Sequence, residues 1–138
     1  METATSLSSR ALQYYVMARH WASDLEFFKT ETKFFHRLLD DYIVYLSSAN
    51  YEEKLKIIGK KLQKLEEDEK LTNELLTKQL KHLELMAEDI IPEDAESLAA
   101  MQIKLETLTT NLMREYRNTK KQLFLLVESA LSKRHTLL

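Results

Sequence analysis

The stretch Leu7–Leu46, LSSRALQYYVMARHWASDLEFFKTETKFFHRLLDDYIVYL, decides the fold. Every third and fourth residue gives Leu7, Ala11, Tyr14, Ala18, Trp21, Leu25, Phe28, Thr32, Phe35, Leu39, Tyr42 and Leu46. The steps alternate four and three without a slip, and only Thr32 interrupts the apolar run. Side chains spaced this way share one stripe of a helix, and the stripe must be buried against other helices. The spacing therefore predicts one long helix over about residues 7–47, with a core seam that includes Trp21, Leu25, Phe28, Phe35, Leu39 and Tyr42.

Composition points the same way. The 138 residues hold one Gly and one Pro, too few to supply the turns of an all-β chain. With 44% hydrophobic and 30% charged residues, the chain has the balance of an amphipathic bundle rather than of a disordered tail. It has no cysteine, which excludes disulfides, thiol nucleophiles and thiolate metal sites. The opening METATSLSSR lacks a signal-peptide core, and no apolar run approaches the roughly 20 residues of a membrane span. The expectation is a soluble, cytoplasmic protein with no membrane span. A net charge of −2 argues against nucleic acid as a partner.

Two further helices are expected. Helix 2, about 51–89, carries the seam Leu55, Ile58, Leu62, Leu65, Glu69, Thr72, Leu76, Leu80, Leu83, Ala87 and Ile90. Two steps of four meet at Thr72–Leu76–Leu80, which reads as a stutter that locally unwinds a supercoil. Asn50 and Glu53 resemble a capping box at its start. Gly59 lies inside it and either makes room for Phe35 or Tyr42 or is a plain weak point costing about 1 kcal/mol against Ala. Helix 3, about 93–134, carries Leu98, Met101, Leu105, Leu108, Leu112, Tyr116, Thr119, Leu123, Leu126 and Ala130, with a second stutter at Leu108–Leu112–Tyr116. Pro92 is expected at the opening turn, where a missing N–H is no loss.

Short connections make successive helices antiparallel. The chain is thus read as all-α, a single domain over residues 1–138 forming an elongated, coiled-coil-like, up-down-up three-helix bundle. Counting outward from the two turns brings Thr32, Glu69, Tyr116 and Thr119 to one height, as a buried polar layer that would fix register.

Helix 1 has more apolar surface than such a bundle covers. Phe27 and Phe34 lie one heptad apart beyond the seam, with Leu38 and Tyr45 on its flank. A fourth packing surface is implied. The simplest supplier is a second copy of the chain, a homodimer, or a partner helix. The run from Trp21 through Leu25, Phe27, Phe28, Lys29 and Glu31 to Arg37 and Leu38 resembles a family of small, uncharacterised, all-helical bacterial proteins. Their leading helix carries Trp-x-x-x-Leu-x-Phe-aromatic-Lys-x-Glu followed by Arg-Leu. The resemblance implies a helical bundle and supplies neither an activity nor a catalytic residue.

Catalytic chemistry finds no motif. The Glu-x-x-His pairs of di-metal bundles are absent, because Met17, Lys33, Gln79 and Ser132 precede the four histidines by three. His20, Asp24 and His82 form the one conceivable weak metal site, against the blander reading of solvated side chains. No nucleophile elbow or phosphate-cradling glycine loop occurs. No cofactor and no enzymatic activity are expected. Charge is segregated: Lys54, Lys56, Lys60, Lys61 and Lys64 open helix 2, diluted by Asp40, Asp41, Glu52, Glu53 and Glu128, whereas Glu84, Glu88, Asp89, Glu93, Asp94 and Glu96 surround the second turn; the bland reading of such runs is a solvated face. The reading is a non-catalytic interaction or scaffold bundle that self-associates through the aromatic flank. A small-ligand or metal-binding bundle is the alternative, and docking of the basic end on an acidic partner is a second.

Overall fold

A computed structural model describes residues 7–42 and 51–137, with side chains up to Ser132. Three helices account for it: α1 (Ser9–Asp41), α2 (Glu52–Ala87) and α3 (Ala95–Leu137). There is no strand among the described residues. The fold is an all-α, antiparallel three-helix bundle. The helices contribute to two compact units, one of Met1–Phe27 with Glu69–Asn111 and one of Phe28–Asp68 with Leu112–Leu138. Each unit is itself a packing of three helical segments.

Side chains close the helix ends. Ser8 caps α1: its hydroxyl accepts the Ala11 N–H at 3.1 Å and its carbonyl accepts the Leu12 N–H at 2.9 Å. The Ser8 N–H donates to Glu93 Oε1 at 3.0 Å, tying the start of α1 to the connection between α2 and α3. At the far end of α1, Tyr42 stands in a turn, and the expected residues up to 47 lie outside the described residues. The same holds for Asn50, while α2 opens with the Leu55 N–H donating to Tyr51 O at 2.8 Å.

α2 stops at Ala87, before Asp89, because Asp89 takes the left-handed conformation with φ 59°. The Asp89 N–H donates to Met86 O at 3.1 Å and the Ile90 N–H to Leu85 O at 2.9 Å, the two bonds of a Schellman motif. Ile90 is thereby turned off the seam and exposed. Pro92 does not open α3. Asp94 caps it, accepting the Ser97 N–H at 3.1 Å, so Pro92 sits two residues outside the cap.

The seams correct the sequence reading at both stutters. The buried stripe of α2 runs through Ile58, Leu62, Leu65, Glu69, Thr72, Leu76, Gln79, Leu83 and Met86, with Ala87 buried beside it. That of α3 runs through Leu98, Gln102, Leu105, Thr109, Leu112, Tyr116, Thr119, Leu123, Leu126 and Ala130, with Val127 buried beside it. The four-three alternation never breaks. Gln79 is buried where Leu80 was expected, Gln102 in place of Met101, and Thr109 in place of Leu108; the three displaced residues are half-buried. A stripe of period 3.5 holds its direction along the helix, so the position decides what is buried.

Buried polar groups need partners. In the first unit Gln79 Nε2 donates to Leu98 O at 3.1 Å and to Gln102 Oε1 at 3.2 Å, and Gln102 Nε2 donates to Tyr14 O at 3.4 Å. The two amides join α1, α2 and α3 beside a core of Ala11, Leu83, Met86 and Leu98. Threonine needs no neighbour: Thr109 Oγ1 donates to Leu105 O at 2.8 Å, within its own helix.

In the second unit the core is aromatic. Phe28 meets Tyr116 edge-on at 4.8 Å between centroids, and Phe35 meets Phe124 at 5.6 Å. Gly59 makes no room for Phe35 or Tyr42, since a Cβ built on it meets nothing within 4 Å. It is a plain weak point.

Gly59→Ala should therefore raise unfolding stability by about 0.5–1 kcal/mol in a denaturant titration. Gln79→Leu or Gln102→Leu alone leaves the other amide short of one partner and should cost about 1–3 kcal/mol. The double variant should cost less than the sum of the two, and strict additivity would show that the amides are not coupled.

Candidate functional site

The surface that stands out lies on the second unit, where α1 and α3 present aromatic rings beyond what their seams bury. Phe35 is buried, and its two ring neighbours outward are Phe34 at 5.9 Å and Phe124 at 5.6 Å. Phe34 remains 49% exposed and Phe124 43%. The excess follows from local sequence. Phe34 precedes a seam position, so a helix that buries Phe35 turns Phe34 outward by about 100°. Leu123–Val127 is five apolar residues in a row, of which the bundle buries Leu123, Leu126 and Val127 and leaves Phe124 and Leu125 exposed.

The same unit also carries ion pairs. Lys120 Nζ lies 3.2 Å from both Glu31 carboxylate oxygens and 5.8 Å from the Tyr116 ring centroid. His36 Nε2 meets Glu66 Oε1 of α2, rather than Asp40 one turn along its own helix. Lys64 pairs with Asp68 at 2.9 Å, and that hydrogen bond and carboxylate charge raise its pKa above the usual lysine value.

Of the residues singled out as an interface, Phe27 is 63% exposed, Phe34 is exposed, Leu38 is half-buried, and Tyr45 lies outside the described residues. Of the core seam, Leu25, Phe28, Phe35 and Leu39 are buried, and Trp21 and Tyr42 are half-buried. Phe124, Leu125 and Ile57 are exposed apolar residues that the seam reading missed. The five-residue apolar run was the available signal for the first two.

Thr32, Glu69, Tyr116 and Thr119 are each buried. The threonines do not carry hydrogen bonds between helices. Thr32 Oγ1 donates to Phe28 O and Lys29 O at 3.0 Å, and Thr119 Oγ1 to Glu115 O at 2.9 Å. The Tyr116 hydroxyl is buried with no hydrogen-bond partner among the described residues, while its ring holds Phe28 and Phe35. His20, Asp24 and His82 are all exposed, and the described residues contain no group of three or more side chains able to hold a metal ion.

No described helix is long and apolar enough to cross a membrane. Comparison of the chain with protein-family models, with curated proteins and with solved structures finds no match. The class of protein that remains is the one the fold defines: an all-α three-helix bundle with an unpaired aromatic face.

Removing a buried hydroxyl that forms no bond removes a desolvation cost. Tyr116→Phe should leave stability unchanged or raise it by up to about 1 kcal/mol in urea unfolding. A loss larger than that would mean the hydroxyl is bonded.

Proposed function

We propose that this chain is a non-catalytic interaction protein that pairs with a second copy of itself through the aromatic face of α1 and α3 in the second unit. The observation that carries the reading is the pair Phe34 and Phe124, exposed on either side of the buried Phe35. Fully covering a phenylalanine contributes about 1.5–3 kcal/mol. A two-fold contact uses the same patch twice, so each residue of the face acts two times. Phe27 is a further exposed ring of α1, in the first unit.

The mechanism is burial of rings with charges setting the orientation. Phe34 already rests against Phe35, which limits the side-chain freedom lost when a partner covers it. Lys120 is held by Glu31 and is half-buried, so its charge keeps its place. Such charges add little affinity and chiefly exclude wrong registers. The proposed action is assembly, with no bond made or broken.

Sedimentation velocity of the purified chain tests this. The wild type should sediment as a dimer at micromolar concentration. Phe34→Asp should weaken the dimer by more than about 100-fold while leaving helicity intact, since a charge replaces a buried ring. A wild type that stays monomeric at high micromolar concentration, or a Phe34→Asp variant that still dimerises, would overturn the reading.

A further inference from the structure

Two blocks of the sequence carry opposite charge, although Glu52 pairs with Lys56 and Asp68 with Lys64 at the ends of the first. Between Lys54 and Lys64 lie five lysines and no acid; between Glu84 and Glu96 lie six acids and no base. Each block also contains an exposed isoleucine, Ile57 in the first and Ile90 in the second. An isolated exposed apolar residue is ordinary. Here the structure gives the two isoleucines different and complementary settings.

Ile57 borders a groove of about 490 Å³ between α2 and α3 of the second unit. Tyr51, Ile58 and Leu126 are the buried part of its lining, with the Tyr51 hydroxyl 3.4 Å from Ser129 Oγ; Ile57 and Leu125 are its exposed apolar part, and Lys54 and Lys61 stand two helical turns apart beside them. Lys61 donates to Gln122 Oε1 at 2.9 Å, and Lys54 has no ion-pair partner among the described residues. The groove is thus apolar within and cationic along one edge.

Ile90, in the first unit, is its counterpart. It is 61% exposed in the connection after α2, with Glu88 and Asp89 before it and Glu93 and Asp94 after. Its backbone is fixed by the Ile90 N–H bond to Leu85 O and by the left-handed Asp89. Glu93 is held by the Ser8 N–H, and Asp94 by the Ser97 N–H. An apolar knob framed by carboxylates is therefore presented on a rigid turn, which lowers the ordering cost of docking.

We infer that copies of this chain make a second contact, in which the acidic turn bearing Ile90 of one copy docks in the lysine-edged groove beside Ile57 of the next. This goes beyond the aromatic pairing and uses none of its residues. The occupant follows from charge complementarity: the turn matches the groove in sign on its rim and in apolarity at its centre. Two different surfaces meet, so the contact forms either head to tail, as a ring or open chain, or twice about a two-fold axis. Its attraction acts between exposed charges and fades as the screening length falls from about 10 Å at 0.1 M salt to about 3 Å at 1 M.

The absence of native cysteine allows a direct test by directed cross-linking. Ile57→Cys and Ile90→Cys change exposed positions, and one of the two chains carries a mass tag. Mixed at low salt under mild oxidation, they should give the mixed disulfide between copies in about tenfold excess over either like-with-like product, a difference of about 1.4 kcal/mol. The mixed product should drop sharply in 1 M NaCl. It should be lost when Lys54→Glu and Lys61→Glu are added to the Ile57→Cys chain. It should persist when both chains carry Phe34→Asp, which separates it from the aromatic pairing. A statistical mixture of products, a mixed product indifferent to salt or to the lysine changes, or its loss with Phe34→Asp would each overturn the inference.

Discussion

A side chain that falls on the seam of a helix is buried whatever its chemistry, and this constraint shapes the whole chain. The seams of α2 and α3 keep a period of 3.5 residues over their described length, so polar residues enter the core at regular places. Gln79 and Gln102 are the most consequential. Their amides satisfy one another and reach carbonyls of α1 and α3, which ties three helices at one level of the first unit. Leucines at those places would pack with less demand on position. A hydrogen-bonded pair tolerates little slippage, because a shift of either helix would strand an amide in the core.

The same constraint produces the exposed surface. Once Phe35 and Leu123 are committed inward, Phe34 and Phe124 have no inward position left, and three helices offer no fourth face to cover them. The aromatic excess is a geometric remainder. A remainder of this kind can be tolerated singly, but two rings gathered on one buried ring form a patch suited to a partner. The second unit sets aromatic rings among its core leucines, and the first sets an amide bridge among its own.

How much of this was legible depended on whether the needed information was local. Leu25, Phe28, Phe35 and Leu39 are buried because an unbroken apolar stripe leaves no choice. The stutters were misread because apolarity was ranked above position. Leu80, Leu108 and Met101 looked like core residues, but each stands one residue off the stripe, and Gln79, Thr109 and Gln102 stand on it. Glutamine qualifies for burial only through a partner on another helix, which no local rule can see. Thr109 qualifies through its own helix, so its burial was the more readable of the two. Pro92 drew the start of α3 too early, since the carboxylate of Asp94 is the better cap. The surplus at Phe124 and Leu125 was visible as a run too long for one stripe, whereas the groove beside Ile57 required the packing of α2 on α3.

The central claim is that position on the seam overrides side-chain class and locks two glutamines into the core. Hydrogen exchange of side-chain amides, followed by NMR, tests it most directly, because the chain holds both kinds of glutamine. Gln13 and Gln63 are exposed, whereas Gln79 and Gln102 are buried. The side-chain amide protons of Gln79 and Gln102 are expected to exchange far more slowly than those of Gln13 and Gln63. Equal exchange across all four would contradict the claim.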